Sequence, residues 1–361
     1  MASFEGLKWA DNQMMWSLVD RELQMVDAHD KTYAVSKSIH YGICLVFEGI
    51  RFYCHEKDGV PHAVFGNWHR NLERFRRGIA FNLSNDQQEL VPTVDELEDL
   101  FLRYLRQESL RPFIDDMVQT GAQGYLRPFT LDEVQSIGVT FPSNPAIRAI
   151  ACHYDQYLGE PFTGVVVPHL VRAVSENGTG CLKLGINYLI SIRAVAEAKK
   201  LVSDAAAALF LDDHPHLRLE ERNITEWDSS CCLLALKDGT VIKIPESNLI
   251  LPSVTIAGIV SMLRERGVNV VENDVTYGEL RHMVEWDNLA CICSVGTAGI
   301  LNRCSKLHLV DGEGRIIATH EPDMEHELYG ILGEMRDDYW NIFKGAKEPP
   351  EGIERTEYPL A

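Results

Sequence analysis

The chain has 361 residues, 45% hydrophobic and 24% charged, an ordinary globular composition long enough for two domains and a large core. Its 34 basic and 53 acidic side chains give a formal charge of −19, which argues against nucleic-acid or acidic-membrane partners, because both select basic surfaces. Nine widely spread cysteines point to a reducing cytoplasm, "MASFEGLKWADNQ" lacks the pattern of a signal peptide, and runs such as "AAAALFL" (205–211) are too short to cross a bilayer.

In chain order, "GICLVFEGIRFYC" (42–54) reads as a strand, and 71–82 and 94–110 read as helices. In the second helix Leu97, Leu100, Phe101, Tyr104 and Leu105 make one apolar face. Residues 124–130 and 147–154 read as strands. The Gly/Pro-containing "DQYLGEPFTG" follows as an interdomain connection. Beyond it the pattern is β-rich. "GVVVPHLVRAV" and "AAALFLDD" are strand candidates, and two hairpins turn at "KDG" and "DGEG". Helices are expected over 188–202 and 255–266, the latter stopping at Gly267, and "DMEHELYGILGEMRDDYWNIF" reads as a last helix pair. The fold class is mixed α/β: a small N-terminal α/β domain (1–151), a connecting loop (152–162) and a larger β-rich domain (163–361). Cys231-Cys232 and Cys291-Ile-Cys293 lie in apolar runs without a second cluster at zinc spacing, so they read as buried thiols and no metal site is expected.

Four stretches carry possible chemistry. Lys183 lies between apolar neighbours, with Gly185 and Tyr188 following. Glu226 ends an apolar segment in "ITEWDSS". "LPSVT" leads into a helix whose first-turn amides attract phosphate. "SVGTAG" (294–299) exposes backbone amides after a buried strand. Singly, these read as a surface lysine, a solvated acid, a helix cap and a plain turn. Together, an amine, a carboxylate and a phosphate cradle are what pyridoxal phosphate needs. The lysine holds the aldehyde, the carboxylate keeps the pyridine nitrogen protonated, and the helix start with an arginine holds the phosphate.

With those residues in view, the sequence resembles the branched-chain aminotransferases among the fold-type-IV pyridoxal-phosphate enzymes. "HYGICLVFEGIRFY" (40–53), "NLERF", "YLRP" (125–128), "KLGINY", "LPSVT" and "GTA" match that family's segments in order. The resemblance implies that Lys183 is the Schiff-base lysine and proton carrier. It implies Glu226 at the pyridine nitrogen and Tyr188 at the ring 3′-oxygen. Arg74, Val254, Thr255 and Thr297 would hold the phosphate, and Leu251 would pack on the ring. Tyr125, with the amides of Thr297 and Ala298, would bind the substrate α-carboxylate. Arg127 would receive the distal carboxylate of glutamate or 2-oxoglutarate; its other reading is a strand-end ion pair. Tyr41, Phe47, Arg51 and Tyr157 would line the pocket, Tyr41 reaching across from the other subunit of a homodimer that shares its active sites.

The implied activity is transamination between an L-amino acid, branched-chain, hydrophobic or a related specialised one, and 2-oxoglutarate. The alternatives are a lyase of the aminodeoxychorismate-lyase branch or a non-catalytic binding protein. Two departures bear on specificity. Trp227 and Asp228 stand where the family has small residues, and Trp227 could fill part of the substrate pocket or merely change the loop. "GIN" replaces "GN" or "GGN", placing Ile186 beside the lysine segment.

Overall fold

The computed structural model describes residues 7–154, 161–172 and 176–361. The chain divides into two compact units. One holds the described residues up to Tyr154 together with Leu182–Ile186 and Glu354–Ala361; the other holds those from Pro161 to Cys181 and Asn187–Ile353. The sequence reading kept 163–361 in one piece. Leu182–Ile186 and Glu354–Ala361 join the N-terminal unit instead, because their backbones pair there.

The N-terminal unit contains β1 (Lys8–Trp9), β2 (Asn12–Ser17), β3 (Leu23–Asp27), α1 (Lys37–Tyr41), β4 (Ile50–Lys57) and β5 (Val60–Gly66). It continues with α2 (Trp68–Phe81), α3 (Val94–Leu105), α4 (Arg111–Thr120), β6 (Gln123–Asp132) and β7 (Pro145–Tyr154). Among the described residues eight strands form one sheet, in the order Arg355–Pro359, β5, β4, β6, β7, β2, β3, with β1 also on β7. The predicted apolar stripe of α3 is buried, and Phe75 of α2 meets Phe101 with ring centroids 6.4 Å apart. That helix stops at Leu105 rather than at 110. Pro112 starts a new helix, α4, where a first-turn proline loses no hydrogen bond.

Residues 42–49 are not the continuous strand expected. Cys44 sits at φ +62°, and the segment makes isolated pairings with both the lysine peptide and β6. Gly185 N–H donates to the Leu45 carbonyl at 3.2 Å, Phe47 N–H donates to the Lys183 carbonyl at 3.1 Å, and Val46 bridges antiparallel to Leu184.

The second unit contains β8 (Phe162–Val166), α5 (Leu189–Leu201), β9 (Ala205–Leu211), β10 (Ile224–Trp227), β11 (Cys231–Leu236) and β12 (Thr240–Lys243). Then come α6 (Val254–Glu265), β13 (Asn269–Glu272), α7 (Tyr277–Glu285), β14 (Leu289–Gly296), β15 (Ile300–Val310), β16 (Ile316–His320) and α8 (Glu327–Phe343). The last strand, β17 (Arg355–Pro359), is the N-terminal unit's edge. Among the described residues the strand order is β10-β9-β8-β15-β14-β11-β12-β13, with β16 on β15. A further β10–β11 pairing closes the first six of these into a ring. Both predicted hairpins are present, β11–β12 and β15–β16. Cys231, Cys232, Cys291 and Cys293 are buried free thiols.

Two further expectations are corrected. The C-terminal pair is a single helix, α8; Gly333 does not break it but lets the Arg303 guanidinium lie against it, where a Cβ would stand 2.6 Å from Nη1. The strand predicted from Gly164 stops at Val166, two residues before Pro168, which cannot donate to a ladder. Residues 173–175 lie outside the described residues. No helix of the described residues is long and apolar enough to cross a membrane.

Candidate active site

The predicted residues form two groups, one in each unit. In the N-terminal unit, Tyr125 and Arg127 are two apart on β6, so they share a face of the sheet. Arg51 of β4 stands opposite Tyr125 in the ladder. Arg127 Nη2 donates to the Tyr125 hydroxyl at 2.6 Å, and its guanidinium carbon lies 4.8 Å from the Phe47 ring centroid and 5.1 Å from that of Tyr125. Among the described residues Arg127 therefore sits on aromatic rings and a phenol rather than on a carboxylate, which weighs against the strand-end ion pair. Arg51 donates to Gln123 and lies 5.5 Å from the Tyr154 ring. The Tyr125 hydroxyl lies directly over Gly49, where a Cβ would be only 2.0 Å away. A glycine is what allows the phenol to sit there.

The lysine peptide joins the same group. Lys183 is half-buried, and its Nζ lies 4.9 Å from the Phe47 ring centroid. Tyr41 closes α1 and is exposed, as is Ile186, whose side chain lies 3.7 Å from where a Cβ on Gly42 would stand. Arg74 is buried on α2, and its Nε and Nη2 each donate to Glu48, at 2.7 and 2.6 Å. Burial works against the Glu48 charge, but Arg74, Lys183 and the Gly49 amide overcome it and hold the carboxyl below its ordinary range. Tyr157 lies outside the described residues.

In the second unit, Glu226 on β10 is 2% exposed. Its Oε1 accepts from Arg172 Nη1 at 2.7 Å and from the Leu251 amide at 3.3 Å. The Arg172 guanidinium also lies 5.3 Å from the Tyr188 ring, so one buried arginine touches two predicted ring contacts. Burial opposes the Arg172 charge, yet Glu226 and Tyr188 outweigh it and hold the guanidinium above its ordinary value. Tyr188 caps the start of α5. Val254 and Thr255 open α6, whose cap is Ser253: its hydroxyl accepts from the Ile256 amide at 3.2 Å. Leu251 is buried just ahead of that helix. Thr297 and Ala298 form the tight turn between β14 and β15, with Gly299 pressed against Asn302.

Trp227 does not reach a pocket. It is fully buried, donates its indole N–H to the Cys293 carbonyl at 3.0 Å, and packs edge-on to Phe162 at 5.1 Å and against Gly164. Asp228 is likewise occupied: its carboxylate accepts from the Ala208 amide at 2.9 Å and its carbonyl accepts from the Ser191 hydroxyl at 2.5 Å. Burial raises its pKa.

Sequence reasoning missed Glu48, Arg172 and Ser253. The first two carry a usable signal: each is a charge within an apolar run, "LVFEGI" and "PHLVRAV", where an ionised side chain needs a partner.

The sequence pattern of the family described as Amino-transferase class IV matches residues 45–286. A probable branched-chain-amino-acid aminotransferase of Staphylococcus aureus is 28% identical over 327 residues, covering 88% of this chain and 81% of that protein. The branched-chain-amino-acid aminotransferase of Haemophilus influenzae is 28% identical over 330 residues, covering 88% and 85%. The solved branched-chain aminotransferase of the thermophilic archaeon Thermoproteus uzoniensis, with norvaline, superposes with a TM-score of 0.68 at 19% identity, covering 97% of this chain and 100% of that one. At that identity the likeness establishes the fold, as the sequence resemblance implied. The family match spans more than half of the chain, which therefore belongs to the class IV amino-transferases.

Proposed function

We propose that the protein is a pyridoxal-phosphate-dependent transaminase that moves the amino group between an L-amino acid and 2-oxoglutarate, with branched-chain or related hydrophobic amino acids as donors. The observation that carries this is the buried Glu226, braced by Arg172 and the Leu251 amide. A carboxylate at such burial is costly without cationic partners. A protonated pyridine nitrogen suits it as a further one. The remaining donor set fits the same group: a half-buried amine at Lys183, a buried arginine at Arg74, and the capped amino end of α6 for a phosphate.

When bound, the cofactor supplies an electron sink for the bond broken at the substrate α-carbon. Lys183 takes the α-proton as base and returns it as acid. Glu226 would keep the pyridine nitrogen protonated, Tyr188 would bond the ring oxygen and Leu251 would pack on the ring. Arg74, Val254, Thr255 and Thr297 hold the phosphate. Tyr125, Thr297 and Ala298 hold the α-carboxylate, and Arg127 the distal one, with Phe47, Arg51 and Tyr157 lining the pocket.

The enzyme works in the cytoplasm as a homodimer that shares residues across its interface, Tyr41 among them. Supporting the dimer is a set of exposed apolar side chains on two adjoining segments. Tyr33, Val35, Ile39 and Tyr41 are tied to Ile137, Val139 and Phe141 by the Ser136 amide on the Val35 carbonyl at 3.0 Å and by Lys37 Nζ on Thr140 at 2.7 Å.

The test is a screen of amino donors against 2-oxoglutarate, with Lys183→Ala as control. Transamination by the wild type and its loss in the variant are expected. Turnover retained by Lys183→Ala overturns the lysine's role. Failure of 2-oxoglutarate to restore the pyridoxal-form absorption after an amino donor overturns transamination in favour of a lyase.

A further inference from the structure

Residues 46–49 do more than line a pocket. Glu48 is fully buried, and both of its carboxylate oxygens are used: Oε2 accepts from Arg74 Nε at 2.7 Å, and Oε1 accepts from Arg74 Nη2 at 2.6 Å and from the Gly49 amide at 2.7 Å. Its own amide donates to the Pro128 carbonyl at 2.8 Å, so the acid stands on fixed backbone. A bidentate carboxylate grips one edge of a planar guanidinium and removes its freedom to turn. The neighbouring residues of the same segment receive the lysine peptide at Phe47 and seat the Tyr125 hydroxyl over Gly49.

Charge alone argues against an acid in this place. A carboxylate beside an arginine offsets the positive charge that should attract a phosphate. A buried ion pair is also a weak source of stability, since an apolar pair of similar volume serves a core as well. What Glu48 adds is direction.

We propose that Glu48 is a positioning residue that aims the Arg74 guanidinium at the cofactor's phosphate. This rests on the transaminase reading above, which assigns the phosphate to Arg74 but gives Glu48 no part.

The test uses the full chain, freed of cofactor, in wild-type, Glu48→Gln and Glu48→Asp forms. Each is titrated with pyridoxal 5'-phosphate and with pyridoxal, which lacks the phosphate, and the ratio of the two dissociation constants measures phosphate recognition. Gln keeps the length and one acceptor but loses the charge. Asp keeps the charge but withdraws it by one methylene. Both variants should lose phosphate preference by about tenfold or more, the scale of a misaligned charge-assisted hydrogen bond. Pyridoxal binding should stay within about threefold, because the pair is assigned to the phosphate and not to the ring. Preference retained by either variant overturns the proposal, and so does a rise in Glu48→Gln, which would make Glu48 a damper of charge only. An equal loss of both ligands, or failure of both variants to fold, makes the pair a core contact and overturns it as well. A wild type that binds neither ligand refutes the transaminase reading instead.

Discussion

Gly49→Ala isolates the substrate side of the proposed site with a single methyl group. An ideal Cβ at that position stands 2.0 Å from the Tyr125 hydroxyl oxygen, 2.7 Å from Cζ and 3.2 Å from Cε2. Gly49 is not among the glycines at positive φ, so alanine meets no backbone strain there. The conflict is with the phenol, a rigid group that must swing by more than an ångström to clear the methyl. Swinging takes its oxygen away from Arg127 Nη2, now at 2.6 Å. A hydrogen bond to a charged group contributes about 1.5–3 kcal/mol. At 1.36 kcal/mol per factor of ten, kcat/KM should fall roughly ten- to a hundredfold. The loss should appear for the amino donor and for 2-oxoglutarate, while the dissociation constant for pyridoxal phosphate stays near wild type. Overpacking itself costs about 1–3 kcal/mol, so the fold survives with a lower Tm. Tyr125→Phe should show a comparable kinetic loss, and the double variant less than the product of the two, because both remove the same contact. A Gly49→Ala enzyme within threefold of wild-type kcat/KM would refute the assignment of Tyr125 and Arg127.

Trp227→Ala should lower stability by about 3–5 kcal/mol by opening a core cavity, measured by urea unfolding, while the ranking of amino donors stays unchanged; a reordered ranking would return Trp227 to the pocket. Arg172→Met leaves Glu226 buried without its guanidinium, a loss of about 3–5 kcal/mol, and Arg172→Met/Glu226→Gln should recover part of it in a double-mutant cycle; strictly additive losses would deny the coupling. Burial pushes His320 down to about 4, below the 6.5 of the unfolded chain. Its stabilisation is therefore full above about pH 6.5 and is lost as pH falls through 4. The gap of about two and a half units corresponds to about 3 kcal/mol, and His320→Asn should flatten the unfolding free energy between pH 7 and 4; an unchanged slope rules it out.

The elements legible in the sequence were those with a local signal. The apolar stripe of α3, the period-two pair Tyr125/Arg127 and the two Asp-Gly or Gly-bearing hairpins need no distant partner to be recognised. What failed was decided by partners far along the chain. "LVFEG" has strand composition, but residues 45–47 divide their backbone hydrogen bonds between residues 183–185 and Thr130. The C-terminal segment reads as a helix pair, yet α8 runs unbroken and Arg303 on β15 fills the space that Gly333 leaves. Trp227 was open to a pocket reading because the resembled family has a small residue there; its register beside Leu209 on β9 turns it toward Phe162 and Cys293 instead.

Lys183 shows the same dependence on a distant partner. By composition it is an unremarkable lysine, and its flanking residues cannot tell a solvated amine from a confined one. The structure decides by fixing its peptide on both sides: the Lys183 carbonyl accepts from Phe47 N–H, and the Gly185 amide donates to Leu45. With the backbone held, the freedom left to the amine is that of its own side chain, whose Nζ lies 4.9 Å from the Phe47 ring centroid. A flexible loop would spread the amine over many positions, and proton transfer at a single atom requires it within hydrogen-bond reach. The segment that restrains Lys183 is the one that holds Arg74 through Glu48 and seats Tyr125 over Gly49. Four residues of irregular backbone, 46–49, thus serve three proposed functions, so a substitution at each should disturb the function that residue serves more than the packing of the sheet.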